Sequence, residues 1–116
     1  MSNISFTRLE NLSGFGTPDL LCYNKNQHFF TLELKVSHKQ EVKFSPHQIS
    51  FHVRHPKNTF ILVKHLASSH SKLYEGSSCL QLVACGLKLE PLCEGLEACR
   101  LKLENLSGGK LETLGA

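Results

Sequence analysis

The sequence predicts one α/β domain in which helices flank a mixed central β-sheet. Its 116 residues are enough for a single hydrophobic core. Two apolar runs joined by a short polar turn lie in the first third of the chain, and this pattern is typical of a β-hairpin. A strong helix-start signal and a third, β-branched run follow. A hairpin, a helix and a further strand in this order favour helices packed on a mixed sheet.

The first elements are a lead-in and the hairpin. Residues 5–12 predict a short helix or an irregular lead-in, and a loop that contains glycine and proline follows. Residues 19–23 form a short apolar run and residues 28–36 alternate in hydrophobicity, so both stretches predict strands. The polar turn 24–27 joins the two strands.

The next element is a helix with clear start and stop signals. Ser45 is a favourable N-cap, Pro46 suits the first helical position, and Gln48 stands three residues after the cap, where a capping box needs a glutamine. Pro56 cannot continue a helix because it lacks a backbone N–H. These signals predict a helix over residues 45–55.

The second half of the chain predicts two strands and another helix. Residues 59–64 are β-branched and apolar, which indicates a central strand. Residues 72–75 predict a short strand and residues 78–89 a helix. We divide the chain into a folded domain at 1–90 and a leucine-rich tail at 91–116.

The tail predicts one short amphipathic helix. Leu96, Leu101 or Leu103, and Leu106 would share one face of it. That face would cover the domain's own core, pack on a second subunit, or stay disordered. The last residues are expected to be frayed.

The charge distribution points to a polyanionic partner. The formal net charge is only +3. Between residues 24 and 72, however, eight Lys or Arg stand against two Glu, a local net charge of +6, and all seven histidines fall in this stretch. From residue 73 onward, four basic and six acidic residues give −2. A basic middle with an acidic tail indicates a middle that binds a polyanion, although a solvated basic surface gives the same pattern.

Composition disfavours several other classes of protein. No apolar run approaches the roughly 18 residues that span a bilayer, so no membrane partner is expected. The five cysteines form no CxxC pair and lack a histidine at short spacing, which disfavours structural zinc. We expect reduced thiols in a cytoplasmic protein, in the host cytoplasm if the chain is phage-encoded. Neither a Cys–His nucleophile pattern nor a glycine-rich phosphate loop is present.

Three charged residues on the hairpin form the candidate site. Glu33 and Lys35 are two apart on one strand and therefore share a face. Simple pairing about the turn sets Asp19 opposite residue 32, and one residue of slip or a bulge brings it beside Glu33. Two adjacent carboxylates repel each other unless a cation lies between them, and Mg²⁺ or Mn²⁺ suits oxygen ligands. The set predicts metal-assisted phosphodiester hydrolysis, with Lys35 serving the water or the phosphate.

The stretches GTPDLL, FTLELK and FSPHQISFH together resemble the PD-(D/E)XK nuclease superfamily. They are similar in particular to its small phage and VRR-type members and to archaeal-type Holliday junction resolvases. The resemblance covers residues 9–64 and implies a restriction-endonuclease-like core. It implies that Asp19 and Glu33 bind the metal and that Lys35 serves the attacking water. It also implies an acidic residue on the first helix, for which Glu10 is the candidate.

Gln48 has two candidate roles, one in the site and one in the capping box with Ser45. The resemblance implies the site role, because the helix after the hairpin often carries a glutamine near the site in this family. One side chain is expected to serve only one role, and we favour the site. His52 and His55 share a helix face with Gln48 and are expected to be solvent-exposed.

A basic set in and beside this helix is assigned to nucleic-acid binding. Its members are Lys39, Lys43, His47, Arg54 and Lys57.

We expect a Mg²⁺-dependent endodeoxyribonuclease, with a four-way (Holliday) junction resolvase as the first choice. A chain of this size has no room for a separate sequence-reading domain, so recognition of branched DNA by shape is favoured. Symmetric cutting needs two sites, which a homodimer would supply. The alternatives are a repair-type nuclease acting on flaps, nicks or single strands, a basic nucleic-acid-binding module that does not cut, and a structural subunit of a larger complex.

Overall fold

The computed structural model of the protein describes residues 3–9 and 16–107. Its nine main elements are β1 (Ile4–Arg8), β2 (Leu20–Asn24), β3 (Phe29–Ser37), α1 (Pro46–Arg54), β4 (Thr59–His65), β5 (His70–Glu75), α2 (Cys79–Cys85), β6 (Cys93–Glu94) and α3 (Leu96–Glu104). Short 3₁₀ turns, Gly76–Ser78 and Gly86–Lys88, flank α2. The coarse prediction of an α/β domain with a mixed sheet is confirmed.

The six strands form one sheet in chain order, from β1 to β6. Every neighbouring pair is antiparallel except β3 and β4, which are parallel. A parallel pair needs a crossover connection, and α1 lies in that connection. The strand predicted over 59–64 is therefore central, as expected.

Each face of the sheet has its own core. On one face Phe30, Leu32 and Leu73 pack with Cys99 and Leu103 of α3. Phe44 and Ile49 pack against the core on the opposite face. That core consists of strand, loop and α2 side chains, namely Val42, Ile61, Val63, Tyr74, Cys79, Leu82 and Leu87. Helices thus cover both faces, and the face with α1 and α2 is the one toward which Glu33 points.

The expectation of a helix or irregular lead-in at the N-terminus was wrong for its described part. Residues Ile4–Arg8 are an edge strand that pairs antiparallel with β2, from Ile4 opposite Asn24 to Arg8 opposite Leu20. Ile4 is buried in the α3-side core. The strand conformation of this segment depends on its pairing with β2 and on the burial of Ile4. Local strand propensity does not indicate either contact.

The helix predicted over 78–89 is interrupted. Gly86 has a φ of +64°, so the chain cannot continue the helix beyond Cys85, where α2 ends. A Cβ on Gly86 would lie 2.4 Å from the carbonyl oxygen of Gln40, and the backbone N–H of Leu87 donates to that same oxygen at 2.8 Å. The break lets the chain pack against the basic loop that follows β3.

The tail belongs to the same sheet and core. Residues Cys93–Glu94 pair with Lys72 and Leu73 of β5, a strand that the sequence did not predict. Helix α3 covers the domain's own core, but its buried face is Cys99 and Leu103, with Leu106 packed beside them. The predicted leucine face was partly wrong, because Leu96 is 60% and Leu101 46% exposed.

Asn24 joins α3 to the hairpin. Its buried amide group donates to the carbonyl oxygens of Leu103 and Leu106, both at 2.9 Å, and its Oδ1 accepts from the N–H groups of Asn26 and His28. All four bonding positions of the amide are filled.

No helix in the described ranges is both long enough and apolar enough to cross a membrane.

Candidate functional site

The hairpin sets Asp19 opposite Glu33. The register pairs Leu20 with Leu32 and Tyr23 with Phe29, so continuing it by one residue matches Asp19 with Glu33. The loop occupies residues 25–28, one residue further along the chain than the predicted turn. This shifts the pairing of the two strands by one residue, as the site requires. The Asp19 carbonyl accepts from the N–H of Leu9, so its backbone continues the β1–β2 ladder.

Glu33 is a buried carboxylate, with only 2% of its surface exposed. Its Oε2 accepts from Nε2 of Gln48 at 2.7 Å, and Nζ of Lys35 lies 3.8 Å from the same oxygen. A buried carboxylate is costly to desolvate unless donors and a positive charge face it. Strand alternation explains the grouping, because Glu33 and Lys35 both point to the α1 side.

Gln48 serves the cap and the site at the same time, so the expectation of a single role was wrong. Its Oε1 accepts from the backbone N–H of Ser45 at 2.9 Å and from Nζ of Lys35 at 2.8 Å, while its Nε2 donates to Glu33. A carbonyl oxygen has two lone pairs and an amide nitrogen two hydrogens, so one side chain can make all three bonds. The N–H of Gln48 also donates to Oγ of Ser45, which completes the capping box.

Lys35 lies at the mouth of this network. Its side chain is 17% exposed, and Nζ lies 4.6 Å from the centroid of the Phe44 ring. An ammonium group has three N–H donors, and one is used by Gln48. The aromatic face and the nearby carboxylate both attract the ammonium group.

Asp19 is exposed and is oriented by the adjacent strand. Its Oδ2 accepts from the backbone N–H of Leu34 at 2.7 Å. Gly16, with a φ of +80°, brings the loop before Asp19 against the first turn of α1, since a Cβ there would lie 2.3 Å from the carbonyl of His47. The loop that precedes Asp19 thus packs directly on the backbone at His47 and Gln48.

His52 is the residue that sequence reasoning missed. It was expected to be exposed, but its ring is completely buried. Nε2 of His52 lies 3.8 Å from Oε1 of Glu33, and neither ring nitrogen nor Oε1 has a hydrogen-bond partner. The available signal was its spacing, four residues after Gln48, which places both side chains on one face of α1. His55, which was also expected to be exposed, is exposed.

A basic cavity of about 430 Å³ adjoins the site. Its lining includes Lys35, Lys39 and Lys43, together with His38 and one acid, Glu41. The hydroxyl of the buried Ser37 donates toward carbonyl oxygens of the loop that carries Lys39 and Lys43, and so holds the loop against the end of β3.

The other predicted nucleic-acid contacts lie outside this cavity. His47 is exposed on the first turn of α1. Arg54 is the last residue of α1 and Lys57 follows it, so both are exposed at the helix end remote from Gln48. Glu10 lies outside the described residues.

The buried thiols are poor candidates for chemistry. Burial raises the pKa of Cys22 to about 12 and that of Cys99 to about 11. Burial, and secondly the Glu33 carboxylate, raise the pKa of Cys79 to about 11. A thiol must ionise to act as a nucleophile or a metal ligand, so these three are neutral near pH 7.

The donor set suits a magnesium-like ion better than zinc. Within residues 3–9 and 16–107, no three His, Cys, Asp or Glu side chains come together as a metal-holding group. Mg²⁺ is usually held by one or two carboxylates, with water and substrate phosphate completing its shell. Glu33 offers an oxygen without a hydrogen-bond partner, and Asp19 a second carboxylate at the facing register position. Both are oxygen donors of the kind that Mg²⁺ prefers.

Comparison with known proteins found no match for this chain among family models, curated proteins or solved structures.

Proposed function

We propose that this protein is a metal-dependent endonuclease that hydrolyses phosphodiester bonds in DNA. The supporting observation is the buried Glu33 carboxylate, which Gln48 and Lys35 hold at the register position facing Asp19. A purely structural role explains such a group poorly, since an apolar side chain of similar volume would cost less to bury. The restriction-endonuclease-like core implied by the sequence resemblance is part of the same proposal.

Each residue of the site has a defined task in this proposal. Asp19 and Glu33 would hold Mg²⁺ or Mn²⁺, and a bound ion would polarise the scissile phosphate and lower the pKa of water. Gln48 fixes the Glu33 carboxylate through its Nε2 donor. Lys35 directs its two remaining N–H donors at a phosphate oxygen or at the attacking water.

The basic cavity supports a nucleic-acid substrate. Three lysines beside the Glu33 network form a positive surface that suits a phosphate backbone. Lys39→Gln and Lys43→Gln should each reduce the dependence of DNA affinity on log salt concentration by about one unit of slope. Lys102→Gln, on the exposed part of α3, is the matched control. An unchanged slope in both cavity variants would contradict this binding mode.

A four-way DNA junction is the substrate that we propose first. Recognition of DNA shape by a homodimer with two sites is the simplest way to cut two strands symmetrically. Light scattering at working concentration tests the dimer, and a monomer would count against it. Flap-, nick- or single-strand-directed cutting is the alternative within the same chemistry.

Cleavage of a labelled junction tests the proposal. The purified protein is compared on junction, linear duplex, flap and single-stranded DNA, with Mg²⁺ and with EDTA. Glu33→Gln and Lys35→Ala should abolish cutting, whereas the exposed controls Glu90→Gln and Lys102→Ala should retain it. Paired symmetric nicks select the junction, and equal cutting of all substrates selects a general nuclease. Binding without metal-dependent cutting would refute the enzyme and favour a binding module.

A further inference from the structure

His52 is the one fully buried imidazole among the described histidines, and it has no task in the proposed metal site. Its Nδ1 and Nε2 both lack hydrogen-bond partners, and so does Oε1 of Glu33. Buried polar groups are almost always paired, so three unpaired atoms in one place call for an explanation.

The orientation of the ring is defined by its neighbours. A Cβ on Gly76 would lie 3.1 Å from Nδ1, so that nitrogen faces the backbone at Gly76. Nε2 faces the opposite way, toward Oε1 of Glu33 at 3.8 Å. The rings of Phe44 and Phe51 contact the imidazole edge-to-face, at interplanar angles of 87° and 88°. The ring is therefore fixed with Nε2 directed at the carboxylate.

The two oxygens of Glu33 differ in their surroundings. Oε2 has a donor, Gln48, and the ammonium group of Lys35 nearby. Oε1 faces only Nε2 of His52, and the 3.8 Å between these two atoms is about 1 Å longer than an ordinary hydrogen bond. Hydrogen bonds of a site are often long before substrate and cofactor bind, and they tighten on loading.

We propose that His52 is a positioning residue whose Nε2–H donates to Oε1 of Glu33 and fixes the carboxylate for its cation. The inference rests on the proposed function, since it assigns Glu33 to metal binding. A carboxylate oxygen has two lone pairs, so a bond from His52 leaves one free for the ion. The burial of His52 excludes contact with DNA, so it acts through Glu33 alone.

Nuclear magnetic resonance of the metal-free wild-type protein is the first test. The ¹⁵N–¹H correlations of the His52 ring should show the proton on Nε2, in slow exchange with water. This resonance should shift in Glu33→Gln, which leaves a weaker acceptor in the same place. A ring protonated at Nδ1 alone, or a resonance insensitive to Glu33→Gln, would overturn the proposal.

A pair of near-isosteric variants supplies the second test. Glutamine places an N–H near the position of Nε2, whereas asparagine places one near Nδ1. The Kd for Mn²⁺, measured by calorimetry, should stay close to wild type in His52→Gln and weaken by about 10- to 100-fold in His52→Asn. His55→Asn, at the exposed C-cap of the same helix, is the matched control. Equal Kd values for the Gln and Asn variants of His52 would count against a positioning role.

The two proposals fail in different ways. If the wild-type protein binds no Mn²⁺ and cuts no DNA, the nuclease is refuted, while the ring resonance still decides whether His52 donates to Glu33. If the protein cuts DNA and the His52 proton lies on Nδ1, only the positioning role is refuted. If both His52 variants unfold, the wild-type spectrum and Glu33→Gln still give the answer.

Discussion

A comparison of Gln48→Ala with Ser45→Ala separates the site contacts of the Gln48 side chain from helix capping. The Gln48→Ala variant loses the 2.7 Å bond to Glu33, the 2.8 Å bond from Lys35 and the 2.9 Å bond from the Ser45 backbone. The first loss is the largest, because a hydrogen bond to a charged group contributes about 1.5–3 kcal/mol and Glu33 cannot be rehydrated where it lies. Lys35 and the Ser45 backbone are closer to solvent, and each adds about 0.5–1.5 kcal/mol or less.

These losses are not strictly additive, so we expect Gln48→Ala to lower the free energy of unfolding by about 2–4 kcal/mol. Ser45→Ala removes only the cap oxygen and leaves the contacts of Gln48 with Glu33 and Lys35. It should cost about 1 kcal/mol. In urea unfolding, each variant should show a lower midpoint concentration and an unchanged m-value. The reasoning is refuted if Gln48→Ala costs no more than Ser45→Ala.

Three further predictions follow from the backbone contacts and the buried thiols. Gly16→Ala should destabilise the protein more than Gly95→Ala, because both glycines have positive φ but only Gly16 lies against another segment. We expect Gly95→Ala to lower the free energy of unfolding by about 1–2 kcal/mol and Gly16→Ala to lower it by about 1–3 kcal/mol more. Equal urea midpoints for the two variants would contradict this. Burial raises the pKa of the Cys22 thiol from 9.0 to about 12 and that of the Cys79 thiol from 9.0 to about 11, so the stability of the reduced protein should fall as pH rises above about 9. Urea midpoints at pH 8 and 10 test this, and a flat profile would contradict it. Gly76→Ala should destabilise the fold by about 1–3 kcal/mol, because its Cβ would lie 2.3 Å from the Thr59 methyl group; an unchanged thermal midpoint would contradict that contact.

Elements with local signals could be predicted from the sequence. The capped helix starts at Pro46 with the expected box, since a cap is defined by residues within four positions of one another. The hairpin strands and the central strand β4 also follow from alternation and β-branched runs. The grouping of Glu33, Lys35 and Gln48 follows from strand parity and from the position of the helix start.

The features that could not be predicted depend on contacts between distant parts of the chain. Strand β1 exists because it pairs with β2, and β6 is only two residues long. The break at Gly86 depends on the carbonyl of Gln40, which is 46 residues earlier. The burial of His52 depends on Gly76 and two aromatic rings. None of these contacts leaves a periodic signal in its own segment.

The hairpin loop, which Asn24 holds in place, sets the register between the strands that carry Asp19 and Glu33. Asp19 lies opposite Glu33 because the four-residue loop occupies residues 25–28, and a register shift of one residue would turn every side chain of β3 to the other face. Asn24 fixes the loop through Asn26 and His28, and its amide is held by the end of α3. The end of a helix on the far side of the sheet thus supports the loop that aligns the two charges, although its residues never approach the site.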